Sequence, residues 1–386
     1  MRYITANQIF SGQSYLPANT VIVLNDKNIV IDLIDKKQLD IGQIEHYDGI
    51  VSPGFINTHC HLELSHLKNT ISQKTGIVNF ALDVIKNRHN TNNELQLEAI
   101  DNADKQMYEQ GIVAVGDISN TTMSLSKKKV SAIYYHTFVE VIGLNPEKAD
   151  PIFEHGLELT RQFKESHLPN SLVAHAPYSV SKELLEKITT SCSQEKKPTS
   201  IHNQESVSEN NFFISKSGDI LKLYSDLNIP IDFFNPTSKT SLQSILNALN
   251  SDINTLLVHN TFTNAQDIEI ANQIHKQLFW CLCPNANLYI ENTLPNIELL
   301  LEMKCNLTLG TDSLASNANL SIIDEINTIK KHYPAINLET LLQMATYNGA
   351  KFLGIENTFG SIKINNACGL NLITENRGRF EVKKIS

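Results

Sequence analysis

A chain of 386 residues is long enough for two or three ordinary domains of about 150 residues, or for one large α/β barrel with additions. With 41% hydrophobic and 19% charged residues, 16 Gly and 12 Pro, it is neither a disordered tail, a collagen-like chain nor a coiled coil. Lys and Arg number 32 against 41 Asp and Glu, a net charge of −9 with no long basic run, which excludes the positive field a nucleic-acid surface needs.

Six cysteines, none in a Cys-x-x-Cys pair, form no disulfide framework and fit a reducing compartment. Cys281 and Cys283 flank Leu282 in an apolar run and read as core thiols on one strand face. The opening MRYITANQIF lacks a signal-peptide pattern, and no apolar run approaches the ~18 residues of a membrane span. A soluble, cytoplasmic protein is expected.

Residues 1–50 carry short strand-like pieces (YITANQIF, TVIVLND, NIVIDLID) divided by polar turn clusters. The rhythm then changes. Eight short apolar runs alternate with segments of helical period: 50–61, 112–119, 132–143, 171–179, 199–206, 255–262, 278–287 and 306–313. One intervening helix candidate, VNFALDVIKNR, aligns Val78, Phe80, Ala81, Val84 and Ile85 on one face. Eight strand–helix repeats in about 250 residues predict a (β/α)8 TIM barrel, an α/β fold. The last segment returns to strand pattern in GLNLI and FEVKKI and is too short to fold alone. The expected organisation is a composite β-sandwich from 1–52 plus 354–386 beside a barrel over 53–353. Residues 203–252 exceed a usual crossover and suggest a lid or an interaction surface.

Metal-capable residues collect at the ends of these runs, which in a parallel barrel share one mouth. His59 and His61, one residue apart on a strand, project from the same face and can hold one ion. His202, His259 and Asp312 end the fifth, sixth and eighth runs. Three imidazoles and a carboxylate suit a borderline metal such as Zn²⁺ and leave room for water. Glu205, three residues past His202, can approach a water held there and serve as proton acceptor and then donor; read blandly, it is a solvated acid at a helix start. Asp312 is either a ligand or a hydrogen-bond acceptor for that water, with a helix cap as its structural alternative.

Together VSPGFINTHCHLELSH, HAPYS, His202-x-x-Glu205, VHN, CPNAN and LGTDS resemble the amidohydrolase superfamily over nearly the whole chain. The order His-x-His, His, His, Asp is similar to its mononuclear deaminase and chlorohydrolase branch, with adenosine, S-adenosylhomocysteine and aminodeoxyfutalosine deaminases as relatives. The resemblance implies His59, His61, His202 and Asp312 as ligands of one divalent ion, Zn²⁺ or alternatively Fe²⁺. It implies Glu205 as proton shuttle, His259 as the residue orienting water, and a catalytic part for Asp312. Strand four reads LVAHAPYS, without the bridging lysine of binuclear members.

His175 and Tyr178 resemble ribose-contacting positions, although each also reads as a packed core residue. Glu63 and Ser65 sit just past the metal pair as pocket or cap candidates, and Arg88 faces either a substrate carboxylate or the helix dipole. Where relatives read Cys-Pro-x-Ser-Asn, Ala286 removes a hydroxyl. The function implied is hydrolytic deamination of an aminated heterocycle, purine nucleoside-like, with release of ammonia. The alternatives are a chlorohydrolase or an amide or guanidine C–N hydrolase on the same metal site, and, from another class, a non-catalytic scaffold. The expected partner is a small molecule, with a homodimer left open and no nucleic acid or membrane involved.

Overall fold

The computed structural model describes residues 1–386, the side chain of Ile41 excepted. Four strands open the chain: β1 (Arg2–Ile9), β2 (Thr20–Leu24), β3 (Val30–Asp35) and β4 (Ile44–Pro53). Eight parallel strands follow: β5 (Phe55–Cys60), β6 (Ile112–Ser119), β7 (Tyr134–Val141), β8 (Asn170–Ala174), β9 (Thr199–Asn203), β10 (Thr255–His259), β11 (Leu278–Leu282) and β12 (Asn306–Leu309). A hairpin of β13 (Leu370–Asn376) and β14 (Arg379–Lys384) closes the chain.

The parallel strands pair in two four-stranded sheets, β5-β6-β7-β8 and β9-β10-β11-β12. Phe138 and Val173 of the first sheet pack in one buried cluster with Leu256, Val258 and Phe279 of the second, so the two inner faces meet. The sheet edges also touch. His202 N–H donates to His175 O (2.9 Å) between β8 and β9, and Thr311 N–H donates to His59 O (3.0 Å) beyond β12. The architecture is of the TIM-barrel type, its two seams made by isolated contacts where the other neighbours share full ladders. Alternate residues such as Val139, Leu172, Leu257 and Trp280 join the second, larger cluster beneath the helices. Burial on both faces explains why these strands read as unbroken apolar runs.

Strands of the two terminal segments pair in one six-stranded sheet of order β14-β13-β4-β1-β2-β3. The expected second layer of a sandwich is not among the pairings of the described residues. β13 joins β4 antiparallel (Leu370 opposite Pro53), and Ile4, Ile22, Val51 and Leu370 share its core. Gly54 carries β4 directly into β5. A Cβ there would lie 2.3 Å from Val113, so only glycine allows the approach. Among the described residues no helix is long and apolar enough to cross a membrane.

Candidate metal and catalytic centre

β5 delivers His59 and, one step past its end, His61; β9 delivers His202 and β10 ends on His259. Asp312 arrives three residues beyond β12 and forms a parallel bridge with Cys60. Gly310 makes that arrival feasible, because a Cβ at this position would lie 2.8 Å from both His59 Cβ and Cys281 Sγ. Gln204, His259 and Asp312 all adopt left-handed backbone (φ 45°, 74° and 56°), a strained conformation for side-chain-bearing residues that concentrates here at the strand ends.

The donor atoms converge. His59 Nε2 lies 3.1 Å from His61 Nε2, which is 3.4 Å from His202 Nε2. Asp312 Oδ1 is 3.4 Å from His59 Nε2 and 3.3 Å from His61 Nε2. A tetrahedron of ligands at zinc–nitrogen distance has edges of about 3.3 Å, so these four spacings fit one small ion. A looser grouping, with one donor atom each from His59, His202, His259 and Asp312 within 4.8 Å of one another, takes in His259 and leaves out His61. Hydrogen bonding separates the two. His202 Nδ1 donates to His175 O (2.7 Å), leaving its Nε2 lone pair directed at the cluster. His259 Nδ1 lies 3.2 Å from the Asn287 amide nitrogen, and in this orientation of the amide it accepts, so the proton sits on Nε2. His259 is then a donor, its Nε2 lying 3.6 Å from Glu205 Oε1, and His61 is the better fourth ligand.

Charge follows burial. Burial lowers His61, His175 and His202 and takes His259 down to about 3, so the imidazoles stay neutral and able to ligate. Burial alone would raise Asp312, yet the hydrogen bond with His59 and the interactions with His61 and His259 around it hold it well below the usual carboxylate range. Glu205 moves the other way: burial, then Asp312, Glu209 and Glu291, push it well above. A pair of carboxyls driven apart in this manner is an acid–base arrangement.

The cluster forms the floor of a cavity of about 410 Å³. His175, Tyr178 and Arg88 line it, as do Phe80, Ala81 and Val84 from the helix Gly76–Asn87. The segment 203–252 contributes a wall through Leu223, Tyr224, Leu227 and Ile229. Glu63 and Ser65 are absent from the lining. Glu63 accepts from Thr121 Oγ1 (2.8 Å) and from Asn120 and Thr121 N–H, and Ser65 Oγ donates to Leu62 O (2.7 Å), so both are committed to the protein itself. Glu205, expected as the proton shuttle, is buried, which does not suit its alternative reading as a solvated helix-start acid. Two contributions go beyond the sequence expectations: Asn287, the last residue of the CPNAN motif, sets the His259 tautomer, and Glu140 is buried at the end of β7 in the cavity wall. An acid inside the apolar run FVEVIG was the available signal for Glu140. Cys281 and Cys283 are buried free thiols 3.9 Å apart, as expected of core residues.

Comparison with known proteins gives the chain a family and a fold. An adenosine deaminase of Helicobacter pylori is 26% identical over 93% of this chain and 91% of its own length. An aminodeoxyfutalosine deaminase of a Nitratiruptor species is 25% identical over 100% of this chain and 94% of its own. The solved structure of Helicobacter pylori aminofutalosine deaminase in complex with methylthio-coformycin superposes with a TM-score of 0.83 at 22% identity, covering 98% of this chain and 93% of that one. The pattern of the amidohydrolase family matches residues 50–383, most of the molecule, and the chain therefore belongs to that family.

Proposed function

We propose that this protein is a metal-dependent hydrolytic deaminase that removes the exocyclic amine of a purine nucleoside-like substrate as ammonia. The observation that carries the reading is the set of four donor spacings of 3.1–3.4 Å directly beside the buried carboxyl of Glu205. His59, His61, His202 and Asp312 would hold one divalent ion, Zn²⁺ suiting nitrogen-rich tetrahedral donors best and Fe²⁺ being the alternative. When bound, such an ion supplies the Lewis acidity that makes water nucleophilic at neutral pH.

The chain's own groups do the rest. As a carboxylate, Glu205 takes the first proton of the attacking water and delivers it to the ring nitrogen, then takes the second from the hydroxyl left on the ring carbon and delivers it to the amine, which departs as ammonia. His259, its proton on Nε2, orients the oxygen by donating to it. Asp312 stays ionised and balances charge. His175 and Tyr178 line the wall where a sugar would lie. Farther out, Ile142, Leu144 and Ile152 give an apolar passage, with Arg88 and Lys148 near it making no ion pair among the described residues. In a chain of net charge −9, two unpaired cations at a substrate entrance suit a lipophilic substituent ending in a carboxylate. Of the substrates named by the relatives, aminodeoxyfutalosine fits that entrance better than plain adenosine. In domain terms, residues 53–353 would form the catalytic unit and 1–52 with 354–386 its accessory sheet.

The test is an ammonia-release screen of zinc-loaded protein against aminopurine nucleosides with and without anionic 5′ substituents, with chloride and carboxylic acid release measured in parallel. Ammonia from the nucleosides supports the reading. Chloride or acid release without ammonia would point to the other hydrolases of this branch, and a chain that holds no metal would point to a scaffold.

A further inference from the structure

Behind the first metal-ligand pair lies a buried ion pair with no part in the chemistry above. Lys128 and Asp117 have fully buried side chains, with Lys128 Nζ 2.5 Å from Asp117 Oδ2. The ammonium also donates to Ser119 Oγ and Thr137 Oγ1 (3.0 Å each), so all three of its protons are used. It lies over the rings of Phe163 and Tyr135, 5.2 and 5.6 Å from their centroids. Asp117 Oδ1 accepts the backbone N–H of Leu62 at 2.8 Å. Leu62 immediately follows His61 and opens the turn Leu62–Leu67. A buried pair of this kind seldom adds net stability, whereas losing one member leaves a charge stranded, so its value lies in the geometry it fixes.

We propose that Lys128 and Asp117 act as positioning residues for the metal site: Lys128 fixes the Asp117 carboxylate, and that carboxylate, by holding Leu62 N–H, sets the exit of the chain from β5 and hence the direction of the His61 imidazole. The same turn is gripped once more, by Glu63 held against Asn120 and Thr121 at the end of β6. His61 is the ligand that needs this most. It lies beyond the last residue of β5, whereas His59 lies within that strand. The proposal rests on the metal site argued above.

The test is the dissociation constant for Zn²⁺, by chelator competition on folded protein, with the visible absorption of the Co²⁺-loaded form as a second readout. In Lys128→Met the Asp117 charge is unpaired, and in Asp117→Asn one face of the pair becomes donor against donor. Each is expected to weaken Zn²⁺ at least tenfold and to shift the Co²⁺ spectrum. The double variant Asp117→Asn/Lys128→Met keeps an acceptor for Leu62 N–H and carries no stranded charge, so it returns to within about threefold of the unaltered protein on the same scale. Asp117→Leu/Lys128→Met keeps no acceptor and stays weak. If either single variant fails to fold, the two double variants decide. Zn²⁺ affinities and Co²⁺ spectra unchanged throughout, with only thermal stability altered, would overturn the proposal. So would an Asn/Met double variant as weak as the Leu/Met one. Failure of the unaltered protein to bind Zn²⁺ overturns the metal reading itself, and is told apart by that first measurement.

Discussion

The two ends of the parallel strands are built from the same alternation of inward side chains and reach opposite results. At one end Phe138, Phe279 and Phe352 pack ring against ring, with centroids 5.6–5.8 Å apart, the last contributed by the helix Tyr347–Leu353. At the other end the inward positions are His59, His202, His259 and Asp312, crowded to a few ångströms with left-handed backbone nearby. A lone buried histidine at the packed end, His136, has one partner, Ser171 Oγ at 2.6 Å, and burial takes it down to about 3. Histidine is thus a neutral core residue at one end and a prospective ligand at the other. What differs is company: imidazole nitrogens become a site only where several aim at one point.

Four substitutions or conditions probe that contrast, from the largest effect to the smallest. Glu205→Gln should lower kcat by about a thousandfold or more while Zn²⁺ content, read by atomic absorption, stays at the unaltered level. Retained turnover would remove Glu205 from proton transfer. Phe352→Ala opens the packed end and is expected to cost about 3–5 kcal/mol in urea unfolding, with kcat per folded molecule and metal content unchanged. A matching loss of metal would mean that the two ends are not separable.

The third concerns acid. His136 is held neutral in the fold down to about 3, against an ordinary value of 6.5. The unfolded chain takes up the proton first, so the stability tied to this neutral ring is complete above pH 6.5 and drains away as pH falls toward 3. The slope from this one group reaches about 1.4 kcal/mol per pH unit, and His136→Asn should flatten the unfolding free energy between those limits by that amount. The smallest effect belongs to Arg88→Met, expected to raise KM about tenfold for a nucleoside with a carboxylate-bearing substituent and to leave KM for adenosine unchanged.

Much of this was legible in the residue string because parallel strands buried on both faces advertise themselves. The run IVAVGDIS coincides with β6, and the ligand candidates sat where apolar runs gave way to polar residues. The rest depended on distances the string does not encode. Period-two patterning marked strands at both termini without saying that they share one six-stranded sheet. Glu63 and Ser65 looked like pocket residues from their nearness to His61, but the loop Asn120–Thr121, nearly sixty positions away, captures the Glu63 carboxylate. The amide of Asn287 on His259 and the ion pair of Lys128 with Asp117 are likewise contacts between elements, with no local pattern to announce them.

Zinc titration into metal-stripped full-length protein, by calorimetry and again after His61→Ala, tests the central claim most directly. The account predicts one tight equivalent per chain in the unaltered protein and a loss of affinity of several orders of magnitude in His61→Ala. No tight binding, two equivalents, or an isotherm unchanged by the substitution would contradict it.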